Sequence, residues 1–216
     1  MVYPVAKLTL LPFLKFWIRK YTGLKNLKKE SSFIFACNHG SFAEDLLLPA
    51  IIVPYLNKKV HIYCNDKFYK NFFLRKFLEW GACIPVRVDE KSKASKKVNE
   101  KAFNLAIKYL KKGEPVGIFP EGHRSIDGSL LKAKTGIARL ALAAKVPVIP
   151  IGTIGCYEIM PKGTLFPRFK RCEINIGKLL YLNKYFGKQN NKKILNHVTK
   201  LIMKEIAKLA KLQYKY

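Results

Sequence analysis

The sequence predicts an α/β fold, a single domain with a largely parallel, mixed sheet flanked by helices, preceded by a helical segment at the N-terminus. Three observations carry that prediction. Short apolar runs alternate with stretches of helical period along the chain. Several of the runs are apolar at nearly every position, as strands buried on both faces must be. The 216 residues contain no internal repeat and no linker, which fits one domain of ordinary size.

Taken in order, residues 32–38 (SFIFACN) read as a strand and 45–56 as an apolar helix interrupted by Pro49 and Pro54. Residues 60–64 form a second strand, 68–80 an aromatic-rich helix, and 82–88 (ACIPVRV) a third strand. Over 91–112 the spacing of Val98, Ala102, Leu105, Ala106, Tyr109 and Leu110 is helical, and Gly113 supplies the stop. A buried-type strand follows at 115–119 (PVGIF), then a helix at 135–145 and strands at 146–152 (VPVIPIG) and 172–177 (CEINIG). The last helix, about 192–213, has the cleanest amphipathic pattern: Val198, Ile202, Ile206 and Leu209 on one stripe, Lys200, Lys204, Lys208 and Lys211 on another. That lysine stripe reads either as a solvated outer face or as a surface for anionic lipid or an acidic carrier. Strands and helices alternating at these intervals place helices on the sheet faces and ligands at strand ends.

Lysine and arginine number 41 against 14 aspartate and glutamate, a formal charge of +27. With 49% hydrophobic and 12% aromatic residues the chain is too apolar for a disordered basic tail, so the excess charge sits on a folded body. Such a body repels itself unless an anionic partner is near: nucleic acid, an anionic membrane surface, or an acidic or phosphorylated molecule. Cys37, Cys64, Cys83, Cys156 and Cys172 are odd in number, widely spaced and without a C-x-x-C pair, which disfavours both a disulfide framework and a zinc site. They read as buried thiols in a reducing compartment. The longest apolar run, residues 46–56, is eleven residues, well short of the ~20 that span a bilayer.

Residues 2–18 are apolar enough to suggest a targeting segment, but Lys7 and Lys15 interrupt them and no small-residue cleavage site follows. Phe13, Phe16, Trp17 and Tyr21 interleave with Lys15, Arg19 and Lys20, a mixture suited to a lipid headgroup boundary. Residues 1–28 are therefore expected to form a helical membrane-docking segment, and residues 29–216 the functional domain. The other reading of 1–28 is a helix hairpin packed on the domain with snorkelling lysines.

Two strand-end loops concentrate the chemistry. Asn38-His39-Gly40-Ser41-Phe42-Ala43-Glu44-Asp45 follows an apolar strand and opens a helix. It places a histidine at a strand end with carboxylates five and six residues on to hold its imidazole, an arrangement for a general base acting on a hydroxyl or water. Phe119-Pro120-Glu121-Gly122-His123-Arg124-Ser125 also follows an apolar strand and joins a carboxylate, a glycine and an arginine whose planar fork suits a phosphate.

Together the two loops resemble the glycerolipid acyltransferase family, which acylates lysophosphatidic acid and carries N-H-x-S-x-x-D and F-P-E-G-T-R-S in that order. Here NHGSFAED and FPEGHRS stand about eighty residues apart. Gly81-Ala82-Cys83-Ile84-Pro85-Val86-Arg87 resembles the family's strand ending in arginine, Asp127-Gly128, Lys134 and Gly136 the stretch after the arginine loop, and Val146-Pro147-Val148-Ile149-Pro150 the V-P-I-x-P strand. The likeness runs from about residue 30 to 180. Glu44 occupies the position of the family's aspartate with Asp45 following, so either carboxylate could orient the histidine, and His123 stands in the usual threonine position.

The resemblance implies transfer of a fatty acyl group from acyl-CoA or acyl carrier protein to the hydroxyl of a lysophospholipid, with no metal and no redox cofactor. His39 would be the base and Glu44 or Asp45 its carboxylate. Arg87 and Arg124 would hold the glycerol phosphate, with Glu121 and Gly122 shaping the loop. Ser41 would be a local cap, since direct attack by the acceptor oxygen needs no acyl-enzyme. The implied partners are an anionic membrane surface, the lysophospholipid and the acyl donor, and the implied location is peripheral, on the cytoplasmic face of a membrane. A nucleic-acid-binding protein is the reading from another class, since a pI near 10 also fits a phosphate-backbone reader. No zinc finger, aromatic RNP-type strand or helix-turn-helix signature supports it.

Overall fold

Among the described residues, 3–29, 31–88, 92–164 and 166–216, seven strands form one sheet: β1 (Ile18–Thr22), β2 (Ile34–Cys37), β3 (His61–Asn65), β4 (Ile84–Val86), β5 (Val116–Ile118), β6 (Val148–Ile154) and β7 (Cys172–Ile176). The structure is a computed structural model. The sheet order is β1-β7-β6-β2-β5-β3-β4. β2 runs parallel to both β5 and β6, β3 runs parallel to β5 and β4, and β1 runs parallel to β7. The β6–β7 pair is antiparallel. The sheet is thus mixed and largely parallel, as the alternation predicts.

The helices are α1 (Pro4–Leu8), α2 (Leu10–Leu14), α3 (Ala43–Leu56), α4 (Phe72–Trp80), α5 (Lys93–Lys111), α6 (Gly136–Ala144), α7 (Cys156–Ile159) and α8 (Lys192–Ala210). Period-two alternation of the strands divides the core between the two sheet faces. Phe35 and Cys37 of β2 join Leu47, Leu48 and Ile52 of α3 and Leu11 and Leu14 of α2 on one face. Ile34 and Ala36 join Ile137 of α6, Ala106 of α5 and Ile202 and Ile206 of α8 on the other. Each fully buried large aliphatic or aromatic side chain here contributes on the order of 1.5–3 kcal/mol. Gly152 of β6 lets α8 lie directly on the sheet, because a Cβ there would come within 2.2 Å of the Ala210 backbone nitrogen.

Four local features depart from the sequence expectations. α3 starts at Ala43 and runs unbroken through Pro49 and Pro54; burial of Leu47, Leu48, Ile51 and Ile52 against β2 holds the helix despite the two missing N–H donors. The aromatic helix begins only at Phe72, where the Asn71 side chain accepts from Leu74 N, and residues 66–70 form a tight 3₁₀ turn. At the N-terminus the helical part stops at Trp17, and Ile18–Thr22 is an edge strand beside β7, so the expected helical segment 1–28 divides into two short helices and a strand. The short α7 has no counterpart in the sequence reading. Residues 1, 2 and 30, and residue 91 at the expected start of the α5 helix, lie outside the described residues.

Cys37, Cys156 and Cys172 are buried, and all five cysteines are free. Among the described residues no helix is long and apolar enough to cross a membrane.

Candidate active site

Because β2 and β5 are parallel neighbours, the loops leaving their C-terminal ends emerge side by side. They lock together through the backbone of His39, whose N–H donates to Glu121 Oε1 at 2.9 Å while its carbonyl accepts from Ser125 N at 2.8 Å. The Phe119 ring stacks on the imidazole, centroids 4.0 Å apart and 18° from parallel. The other Glu121 oxygen accepts from Leu131 N at 2.6 Å, so this buried carboxylate ties three loop segments with both oxygens engaged. Burial pushes its pKa up to about 7, against the opposing pull of those N–H donors. Gly122 beside it has a φ of +74°, a left-handed conformation that any side chain would strain.

Asn38 extends the β2–β6 ladder past its last strand residue. Its Nδ2 donates to Thr153 O at 3.2 Å, and its Oδ1 accepts from Thr153 N at 2.8 Å. Thr153 in turn donates from Oγ1 to Glu44 Oε1 at 3.3 Å. The Glu44 side chain is wholly buried and also accepts from Gly40 N at 3.1 Å and Ser41 N at 2.8 Å, satisfying backbone donors ahead of α3. Ser41 Oγ accepts from Ala43 N at 2.8 Å, a local turn bond.

Glu44 Oε2 lies 3.9 Å from His39 Nδ1, within ion-pair range and beyond a hydrogen bond, and Nδ1 has no other hydrogen-bond partner among the described residues. Burial of the imidazole lowers its pKa, but the carboxylates of Glu44, Asp45 and Glu121 outweigh it, and the net shift is upward. His61 makes a useful contrast, since both of its nitrogens are occupied, Nδ1 by Ala82 O at 2.8 Å and Nε2 by Glu114 Oε2 at 2.9 Å. That ring is a structural staple, whereas His39 Nδ1 is left without a hydrogen bond among the described residues.

Asp45, one residue further along α3, turns to the cleft wall, where it keeps some solvent contact although crowded on most sides. The crowding pushes its pKa up to about 6, partly offset by His39 and Arg124. The Arg124 guanidinium lies 3.5 Å above the Phe42 ring. Arg87, at the end of β4, is held by Asp66, to which its Nε donates at 2.7 Å, and its backbone N and O are both engaged by the Asn99 side chain at 2.8 Å.

These loops open on a cleft of about 990 Å³. His39, Asp45, Arg87, Gly122 and Arg124 all line it; Glu44 and Glu121 stand behind the wall. Lys96, His123, Lys134, Arg139 and Lys162 line it as well. None of these five was singled out from sequence as a site residue. Lys96 is one of several lysines on α5 and Arg139 the single charge on α6, and only the fold shows that both reach this cleft. The arrangement offers an imidazole backed by a carboxylate, beside a cationic wall able to take a phosphate.

The sequence pattern of the acyltransferase family matches residues 18–154. The 1-acyl-sn-glycerol-3-phosphate acyltransferase of Bacillus subtilis is 31% identical over 142 residues, covering 65% of this chain and 66% of that protein. The chloroplastic 1-acyl-sn-glycerol-3-phosphate acyltransferase BAT2 of Brassica napus is 29% identical over 167 residues, 74% of this chain and 43% of that one. The chain therefore spans just under two thirds of the bacterial relative and about two fifths of the plant one. A crystal structure of the 1-acyl-sn-glycerophosphate acyltransferase PlsC from Thermotoga maritima shares the fold, with a TM-score of 0.64 over 95% of this chain and 82% of that one at 20% identity. Since the family pattern takes in both interlocked loops and the strands that aim them, the chain belongs to the acyltransferase family.

Proposed function

We propose that the protein transfers a fatty acyl group from a thioester, on coenzyme A or acyl carrier protein, to the free hydroxyl of a lysophospholipid, with lysophosphatidic acid as acceptor and phosphatidic acid as product. One observation carries the reading: His39, backed by Glu44 at 3.9 Å, faces a cleft whose wall holds Arg87 and Arg124. With Nδ1 turned to Glu44, the other ring nitrogen takes the acceptor proton as the hydroxyl oxygen attacks the thioester carbonyl. The new C–O bond forms, the C–S bond breaks, and the imidazolium returns its proton to the departing thiolate. Glu44 and Asp45 stabilise the imidazolium while it exists. Arg124 and Arg87 hold the acceptor phosphate, and Glu121 and Gly122 keep the arginine loop in shape. No step in this scheme requires a metal or a redox cofactor. The names of the bacterial and plant relatives support a 1-acylglycerol-3-phosphate as acceptor.

In this reading the protein works peripherally at an anionic membrane, on the cytoplasmic face, with residues 1–28 as its docking segment. The experiment that tests the function is mass analysis of products after incubation with a panel of lysolipids and both donors. Phosphatidic acid should be the main product from lysophosphatidic acid, and His39→Ala should lower turnover by about 10²- to 10⁴-fold while leaving the fold intact. A folded His39→Ala variant with near wild-type turnover would refute the mechanism.

A further inference from the structure

α4 is built against the usual logic of a surface helix. In a globular domain the apolar stripe of an amphipathic helix turns to the core. Here no residue of the nine is buried. Phe72 is 64% exposed, Phe73 81%, Phe77 43% and Trp80 49%. At about 100° per residue, Phe73, Phe77 and Trp80 fall on one stripe, with Phe72 on its flank. Arg75 and Glu79 pair at 2.7 Å on the opposite side. The Lys76 ammonium stands 5.8 Å from the centre of the Phe72 ring. The Asn71 side chain caps the first turn, accepting from Leu74 N at 3.1 Å.

The same face continues into the N-terminal helices. The Trp80 and Tyr3 rings are 5.0 Å apart, and Phe77 and Trp80 share a narrow apolar crevice with Leu10, Leu11 and Leu14. Val5 and Leu8 are exposed on the N-terminal side. Two elements from different parts of the chain thus present one apolar surface edged by cations, far more than the scattered apolar residues normal on a monomer.

We infer that α4 is a second membrane-contacting element, its Phe73, Phe77 and Trp80 stripe entering an anionic lipid surface beside the N-terminal helices. Charge selects the occupant. A second copy of the chain would bring +27 against +27, whereas anionic headgroups complement Lys70, Lys76 and the rest of the basic surface. Aromatic rings flanked by lysine and arginine are the composition that settles at the headgroup boundary. The inference extends the proposed membrane reading of residues 1–28, and its readout does not depend on catalysis.

The chain contains two tryptophans, Trp17 and Trp80, so each element can be followed by itself. The full-length Trp17→Phe variant is mixed with vesicles of phosphatidylglycerol and phosphatidylcholine carrying brominated acyl chains. Trp80 emission should shift to the blue and be quenched. The Phe72→Ser/Phe73→Ser variant, checked for fold by circular dichroism, should lose vesicle partitioning by about tenfold or more while keeping activity on detergent-dispersed lysolipid within about twofold. Quenching of Trp17 in a Trp80→Phe variant, with Trp80 unquenched in the other, would overturn the inference and leave docking to the N-terminal helices alone. Quenching of neither would overturn both docking assignments, and activity in detergent would still stand for the acyltransferase reading. A dimer by analytical ultracentrifugation that dissociates in the Phe72→Ser/Phe73→Ser variant would assign the face to a second copy and equally overturn the inference.

Discussion

Glu44 and Asp45 are chain neighbours whose environments differ sharply, because successive side chains on a helix diverge by about 100°. Glu44 points inward, takes three hydrogen bonds and backs His39 Nδ1; Asp45 points to the cleft beside Arg124. A pH measurement separates their roles. A general base must be neutral to act, so on the proposed role of His39 activity should rise as pH passes upward through the His39 pKa, which the nearby carboxylates hold above its ordinary value. Glu44→Gln removes the closest of those charges. Its kcat/KM profile should show the acid limb moved to lower pH, with a lower plateau because the imidazolium loses its partner. Asp45→Asn should move the limb less; a larger movement there would assign the orienting role to Asp45. For the arginines, Arg124→Ala should raise KM for the lysolipid at least about tenfold and leave KM for the acyl donor nearly unchanged. Arg87→Ala should have a smaller effect of the same kind, since Asp66 already engages part of its guanidinium. Equal effects on both substrates would count against a phosphate-holding role.

At the scale of elements, α1, α2 and β1 have a buried face and an exposed one. Ala6, Leu11, Leu14 and Ile18 are buried in the core, while Val5, Leu8, Phe13 and Phe16 are exposed. The two sequence readings of this segment, packed hairpin and docking surface, are therefore compatible on opposite faces. Replacing Phe13 and Phe16 with Ser should weaken binding to anionic vesicles and lower activity on vesicle-presented lysolipid more than on detergent-dispersed lysolipid, as measured by co-sedimentation and paired assays. Deletion of the whole segment is a harsher test, because it also removes β1 and the bond from Trp17 Nε1 to Arg168 O at 3.1 Å. If the serine variants pellet with vesicles like wild type, docking belongs elsewhere, with the α8 lysines Lys200, Lys204 and Lys208 as the next surface to alter.

For the molecule as a whole, the charge of +27 draws the protein to any polyanion, and salt screens lipid and nucleic acid alike. Competition distinguishes them. Vesicles containing phosphatidylglycerol should displace the protein from duplex DNA at matched charge concentration, because bilayers also accept the exposed aromatic side chains of α4 and the N-terminal helices. Failure of vesicles to compete would favour a nucleic-acid partner.

The sequence by itself determined the α/β class, the order of its main elements and the two loops that meet at His39. These are local matters: apolar period, strand-ending motifs and short-range carboxylate spacing leave their mark within a few dozen residues. It did not show that Ile18–Thr22 joins the sheet, since that strand is exposed at four of its five positions and owes its place to β7, more than 150 residues away. Nor did it show that Glu44 and Glu121 stand behind the cleft wall while Asp45, Lys96, Lys134 and Arg139 line it. Inward and outward orientation depends on which helix packs on which strand, and that is decided only when residues distant in the chain bury one another's apolar surface. The outward-facing stripe of α4 is the sharpest case: its aromatic spacing reads as an ordinary helix in sequence, and only the packed structure leaves that stripe uncovered.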